Sequence, residues 1–171
     1  MRGTLPRAPG LGGISSVALC VLILSACGSS TEPSETELFL RFNANGSLVE
    51  FTNAASLFAA FTSTSGQSNL VITGYDAVSG TNLQIYDNGP VGTGTYSGYG
   101  VVGNVLVGTL MAYEDPSGTE YVTNPGSADV TITVSEITDT RVRGTFSGTL
   151  EASGEPDLVV TAGSFVVQRA N

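Results

Sequence analysis

At 171 residues the chain carries fifteen acidic and six basic side chains, all six of them arginine, and it contains no histidine, lysine or tryptophan. Nucleic acid is excluded as a partner, because binding it depends on releasing counterions with many basic groups. Imidazole or amine catalysis and imidazole metal ligation are excluded too, since those side chains are missing.

The first 26 residues have the layout of an export signal. Arg2 and Arg7 are the only charges, Ile14 to Leu24 is an apolar run, and Ser25-Ala26 places small residues before a cut. The run is too short to cross about 30 Å of hydrocarbon, for which about 20 apolar residues are needed. Leu24-Ser25-Ala26-Cys27 resembles the lipobox of bacterial lipoproteins. That resemblance implies a diacylglyceryl group on the Cys27 sulfur, commonly a further acyl chain such as palmitate on its amine, and cleavage that makes Cys27 the first mature residue. Two or more acyl chains hold stably to a bilayer, each buried CH₂ contributing about 0.8 kcal/mol. Gly28 in place of an aspartate implies the outer membrane if the cell has two membranes.

Residues 27–171 amount to 145 (171 − 26), the length of one domain. Cys20 lies in the discarded run and Cys27 is acylated on this reading, so the folded part has no thiol for a disulfide, a metal or a nucleophile. Residues 27–36 read as the lipidated start and a flexible linker. Gly28 to Glu35 offers nothing apolar to bury and reaches roughly 20 Å or less as a coil. All fifteen acids follow Cys27, with only Arg41, Arg141, Arg143 and Arg169 against them, so the mature net charge is 4 − 15 = −11. The acidity serves solubility, and attraction to anionic lipid cannot replace the acyl anchor.

From residue 37 to 171 the pattern is that of a single β domain. Leu38, Leu40 and Phe42 alternate, Asn45-Gly46 is a hairpin signal, and Leu48 to Phe51 resumes the sheet. Asn45-Gly46-Ser47 also matches a glycosylation sequon, but a tight turn explains it better. Ala54 to Phe61 is ambiguous between a short helix and strand or loop, and its Ser and Thr neighbours favour the latter. Leu70 to Tyr75 and Asn82 to Tyr86 read as a hairpin through Val78-Ser79-Gly80, ended by Asp87-Asn88-Gly89-Pro90. Thr95–Tyr99, Val101–Tyr113, Glu120–Thr123, Asp129–Ser135, Arg141–Glu151 and Leu158–Gln168 follow as further strands. Val130, Ile132 and Val134 share one face and Thr131, Thr133 and Ser135 the other, which is the signature of an antiparallel sheet with one wet face. The inward parity shifts between Leu158-Val160 and Phe165-Val167, which predicts a β-bulge at Ala162-Gly163.

About nine or ten short strands without a convincing helix leave two solutions: an antiparallel, meander-rich sandwich or a flattened up-and-down barrel. Gly94 to Gly98 and Gly144 to Gly148 echo each other, Gly-Thr-Tyr-Ser-Gly against Gly-Thr-Phe-Ser-Gly. Chance is the better explanation; a true echo would put Tyr96 and Phe146 at equivalent core positions. The stretch from Val130 to Phe165 resembles small bacterial lipoproteins of unknown function built as all-β domains. That resemblance implies architecture, and no activity, cofactor or catalytic residue.

What chemistry remains belongs to carboxylates, because two suitably spaced acids hydrolyse a glycosidic bond without histidine. Glu114-Asp115 and Glu136 with Asp139 are the acidic clusters, both in sequences that also spell turns. Asp76, Asp87 and Asn88 could converge on a hard cation, but their spacing matches no calcium loop and turn formation explains them better. Tyr75, Tyr86, Tyr96, Tyr99, Tyr113 and Tyr121 mostly end strands, where a ring packs at the core rim; several on one exposed face would point to carbohydrate or peptide contact. The expected function is a lipid-anchored envelope protein with a non-catalytic binding or structural β module and no cofactor, its partner a carbohydrate or another envelope protein. The alternative is a carboxylate-dependent, glycoside-type hydrolase.

Overall fold

Alternation of apolar and polar residues decides which side of every strand faces the interior, and turn chemistry decides where each strand ends. The computed structural model describes residues 37–64, 66–124 and 129–170, so Cys27, the signal segment and the linker lie outside the described residues. Twelve strands follow: β1 (Phe39–Ala44), β2 (Ser47–Phe51), β3 (Phe58–Thr64), β4 (Gln67–Tyr75), β5 (Gly80–Asp87), β6 (Gly94–Ser97), β7 (Tyr99–Val102), β8 (Val105–Glu114), β9 (Glu120–Val122), β10 (Thr131–Ile137), β11 (Arg141–Leu150) and β12 (Leu158–Ala170). No α-helix occurs among the described residues, and Ala54–Ser56 forms a single 3₁₀ turn.

The chain is all-β, with three departures from the sequence expectation. The strand count exceeds nine or ten because two expected strands are recut into three, β6, β7 and β8, and the ambiguous segment supplies β3. Thr95–Tyr99 breaks at Gly98, whose φ of +75° ends β6, and Val101–Tyr113 contains a hairpin turn at Gly103-Asn104, with φ of +59° and +70°. Such angles suit the two-residue turns that match strand twist. The ambiguous Ala54–Phe61 splits into the 3₁₀ turn and the start of β3, its Asn53 side chain accepting from the Ala55 N–H. The sheet is also not wholly antiparallel: β12 pairs with β3 in parallel, Gln168 opposite Phe58.

One mixed sheet runs β6-β10-β11-β12-β3-β4-β5-β8-β7, with β1-β2 joined to β12 and β9 to β8. Its ladder does not close into a barrel. Its two ends are nevertheless tied together. β6 and β7 are consecutive through Gly98, whose carbonyl accepts the Thr109 N–H at 2.7 Å; the buried Thr109 Oγ1 donates to the Val130 carbonyl at 2.6 Å, and Val122 and Glu151 exchange backbone bonds of 2.9 Å. Within the folded sheet, Phe42 of β1 meets Tyr113 of β8 edge-on at 5.2 Å, and Phe146 and Phe165 continue the aromatic contact at 5.7 and 6.4 Å. Leu40, Leu57, Leu70, Ile72, Leu83 and Ile85 complete the dry interior.

The predicted bulge is present. Along β12, Gly163 faces Phe146 and Val160 faces Gly148, so one strand carries an extra residue, and Ala162 takes it up at φ +51°. The two copies of the sequence echo occupy equivalent places in the sheet. β6 and β11 flank β10 in the same register, with Ile132 opposite both Tyr96 and Phe146, and Thr133 opposite both Thr95 and Thr145. Phe146 is buried and Tyr96 packs half-buried against the core.

Candidate functional site

Three of the acids that the sequence singles out, Asp115, Asp76 and Glu136, are occupied with local structure. Asp115 Oδ1 accepts the Ser117 hydroxyl at 2.6 Å and the N–H groups of Ser117 and Thr119 at 2.8 and 2.9 Å, closing the β8–β9 turn. Asp76 Oδ1 does the same for Val78 and Ser79 at 2.9 and 2.8 Å in the β4–β5 turn. Glu136 accepts from Arg141 at 2.8 Å and lies 3.9 Å from Arg143. Asp139 is exposed in the next turn, and Glu136 is engaged by the two arginines. Asp76 and Asp87 stand at opposite ends of the β4–β5 hairpin, where Tyr75 faces Gly80 and Ser68 faces Asp87, so no cation site unites them. No group of three or more metal-ligating residues occurs among the described residues.

These bonds make the fold pH-sensitive. Asp115 is held below the usual aspartate range, first by the Ser117 hydroxyl and then by the Thr119 N–H, and Asp76 by the N–H groups of Val78 and Ser79. Folding lowers both pKa values, so their contribution is complete above the unfolded value of about 4 and is lost as pH falls through the folded one. Denaturant midpoints are expected to drop below about pH 4, with a shallower drop in Asp115→Ala. Midpoints that stay level down to about pH 2 would contradict this assignment.

The chemically richest surface is the outer face of β4, β5, β7 and β8. Leu70, Ile72, Leu83, Ile85, Thr109 and Met111 point inward, so Asn69, Thr73 and Tyr75, then Asn82, Gln84 and Tyr86, then Leu110 and Ala112 point outward. Thr73 lies opposite Asn82 and Asn82 opposite Ala112; Asn69 lies opposite Tyr86, and Tyr86 and Tyr99 stand in register on either side of Gly108. The Tyr86 hydroxyl donates to Gln84 Oε1. Two adjoining hollows open here. One of about 240 Å³ is lined by Thr73, Tyr75, Asn82, Glu114 and Glu120, and one of about 180 Å³ by Asn82, Gln84, Tyr99 and Leu110.

Three buried acceptors on this face, Asn69 Oδ1, Thr73 Oγ1 and Asn82 Oδ1, have no hydrogen-bond partner. Leaving such atoms unmade costs about 1–3 kcal/mol each, which makes three on one face unusual. Glu114 and Glu120 face each other across β8 and β9 in the first hollow. The sequence reading missed this assembly, which only the pairing of distant strands brings together. Of the six tyrosines, Tyr75, Tyr86 and Tyr99 belong to the outer face, whereas Tyr96, Tyr113 and Tyr121 pack on the core. Compared with known proteins, the chain matches no family model, no curated protein and no solved structure.

Proposed function

We propose that this protein is a lipid-anchored, non-catalytic binding module of a bacterial envelope, and that the outer face of β4, β5, β7 and β8 receives a polyhydroxylated, carbohydrate-like ligand. The anchor rests on the lipobox resemblance at Cys27. The ligand class rests on one observation: three unpartnered acceptors share a face with Tyr75, Tyr86 and Tyr99. Thr73, Asn82 and Gln84 line the two hollows and offer polar partners to sugar hydroxyls, and tyrosine offers an apolar ring beside a polar tip. A polyanion is disfavoured by the net charge of −11 on residues 27–171. The lack of histidine and lysine supports binding without turnover.

A second reading, glycoside hydrolysis by carboxylates, rests on Glu114 and Glu120. Directly opposed residues in a strand pair stand about 5 Å apart at Cβ, close enough for two flexible glutamates to bring their carboxyl groups to the roughly 5–9.5 Å separation of paired catalytic acids. Calorimetry of the chain from Cys27 with soluble cello-, xylo- and chito-oligosaccharides distinguishes the two. The expected result is binding to at least one series, weakened about tenfold by Tyr86→Ala and by Asn82→Ala, or by about 1.4 kcal/mol, without loss of fold. Binding to none, or binding indifferent to both substitutions, contradicts the proposed face. Release of reducing ends that Glu114→Gln abolishes would establish the hydrolase instead.

A further inference from the structure

Strand direction sorts the loops into two ends of the sheet. β1, β4, β8 and β11 run in one sense, and β3, β5, β10 and β12 in the other. Glu37 before β1, the Gly103-Asn104 turn before β8, the turn before β11 and the end of β12 therefore share one end. The turns after β4, β8 and β11 share the opposite end.

Charge divides along the same line. Arg141, Arg143 and Arg169 all lie at the first end, alongside Glu37, Asp87, Glu136 and Asp139, while Arg41 and Glu50 pair at 3.9 Å between the ends. At the opposite end stand Asp76, the Glu114-Asp115 turn, Glu120, Glu151 and the Glu155 to Asp157 loop, with no arginine. One end is close to neutral and the other strongly negative.

The near-neutral end also carries an apolar point. From Asn88 to Tyr113 the sequence has no charged residue. Within that run the β7–β8 hairpin presents Val101 and Val102 at its tip, 67 % and 56 % exposed. Gln67 Nε2 donates to the Leu106 carbonyl at 2.8 Å and ties the hairpin to β4. Leu48 and Val78, 65 % and 61 % exposed at the opposite end, stand beside Glu50 and Asp76. Val101 and Val102 are instead adjacent on a fixed hairpin with no charge near them in sequence, which makes this tip the apolar point free of neighbouring charge.

We propose that this tip contacts the lipid surface, seating Val101 and Val102 at the boundary of headgroups and acyl chains, with the arginine-bearing end facing the bilayer and the acidic end turned away. The proposal rests on the lipid-anchor reading of Cys27. On that reading the nine residues 28 to 36 tether the bilayer to Glu37, which stands at this same end. Such a tether raises the local concentration of membrane surface to the millimolar range, so a contact too weak to recruit the free domain suffices to orient the anchored one. Orientation also removes the far end's charge from anionic headgroups by more than a Debye length of about 8–10 Å.

The chain lacks tryptophan, so Val102→Trp creates a sole reporter at the tip and Ser153→Trp one at the opposite end. Each chain, starting at Cys27, is coupled through that thiol to maleimide headgroups on vesicles of phosphatidylethanolamine and phosphatidylglycerol with brominated acyl chains. Chemical coupling stands in for acylation, so the test holds even if the native chain proves unlipidated. The tip reporter is expected to lose about half its emission to bromine quenching, with the Ser153→Trp reporter unquenched. Equal quenching of both, or of neither, overturns the proposal. A blue shift of the tip reporter that grows with protein concentration in the absence of vesicles overturns it as well, in favour of contact with a second copy.

Discussion

Replacing Gly144 by alanine is expected to destabilise the protein by about 3 kcal/mol, the upper end of what overpacking a dense interior costs. A Cβ at this position would overlap the Thr133 carbonyl oxygen and lie 2.5 Å from Phe165 Cζ. Neither can retreat. The carbonyl belongs to the backbone of β10, which is paired on both sides, and the Phe165 ring is fully buried against Phe146. For a domain of this size the loss lowers the thermal midpoint by on the order of 10 °C. Gly100→Ala is the control, since a Cβ there meets nothing within 4 Å, and its effect is expected to stay within about 0.5 kcal/mol. Equal midpoints for the two variants in denaturant titrations would show that Phe165 does not pack on Gly144 as described.

The all-β architecture was legible because its strands obey a two-residue period, and the bulge at Ala162-Gly163 was legible because that period slips there. Features that depend on partners distant in sequence were not. Nothing local distinguishes the parallel pairing of β12 with β3, which arises because β3 continues beside β12 where β1 leaves off. Gly103-Asn104 was hidden inside an apolar run whose flanking valines read as one continuous strand. Nor does so short a pentapeptide echo reveal that its two copies flank β10.

The candidate site divides the same way. Asp76 and Asp115 could be read as turn formers from their Ser, Gly and Pro neighbours, and their hydrogen bonds agree. The outer face could not be read, because Asn69, Thr73, Asn82 and Gln84 look like ordinary solvent-facing positions one strand at a time. They become a surface only through the order β4-β5-β8, which pairs Thr73 with Asn82 and Asn82 with Ala112, while β9 sets Glu120 beside Glu114.

On the proposed lipid-anchor reading, replacing Cys27 by serine is expected to have the largest effect on the protein in its cell, since residues 28–171 hold no other thiol for a lipid to occupy. Fractionation alone is an ambiguous readout, because a precursor left uncut keeps its apolar run from Ile14 to Leu24 and can stay with the membrane through it. The direct measurement is incorporation of labelled palmitate, with the mass of the mature N-terminus read alongside. The native chain is expected to carry label and to begin at an acylated Cys27, and the Cys27→Ser chain to carry none. A native chain with a free Cys27 thiol, or label that persists in the serine variant, would contradict the anchored module on which this account is built.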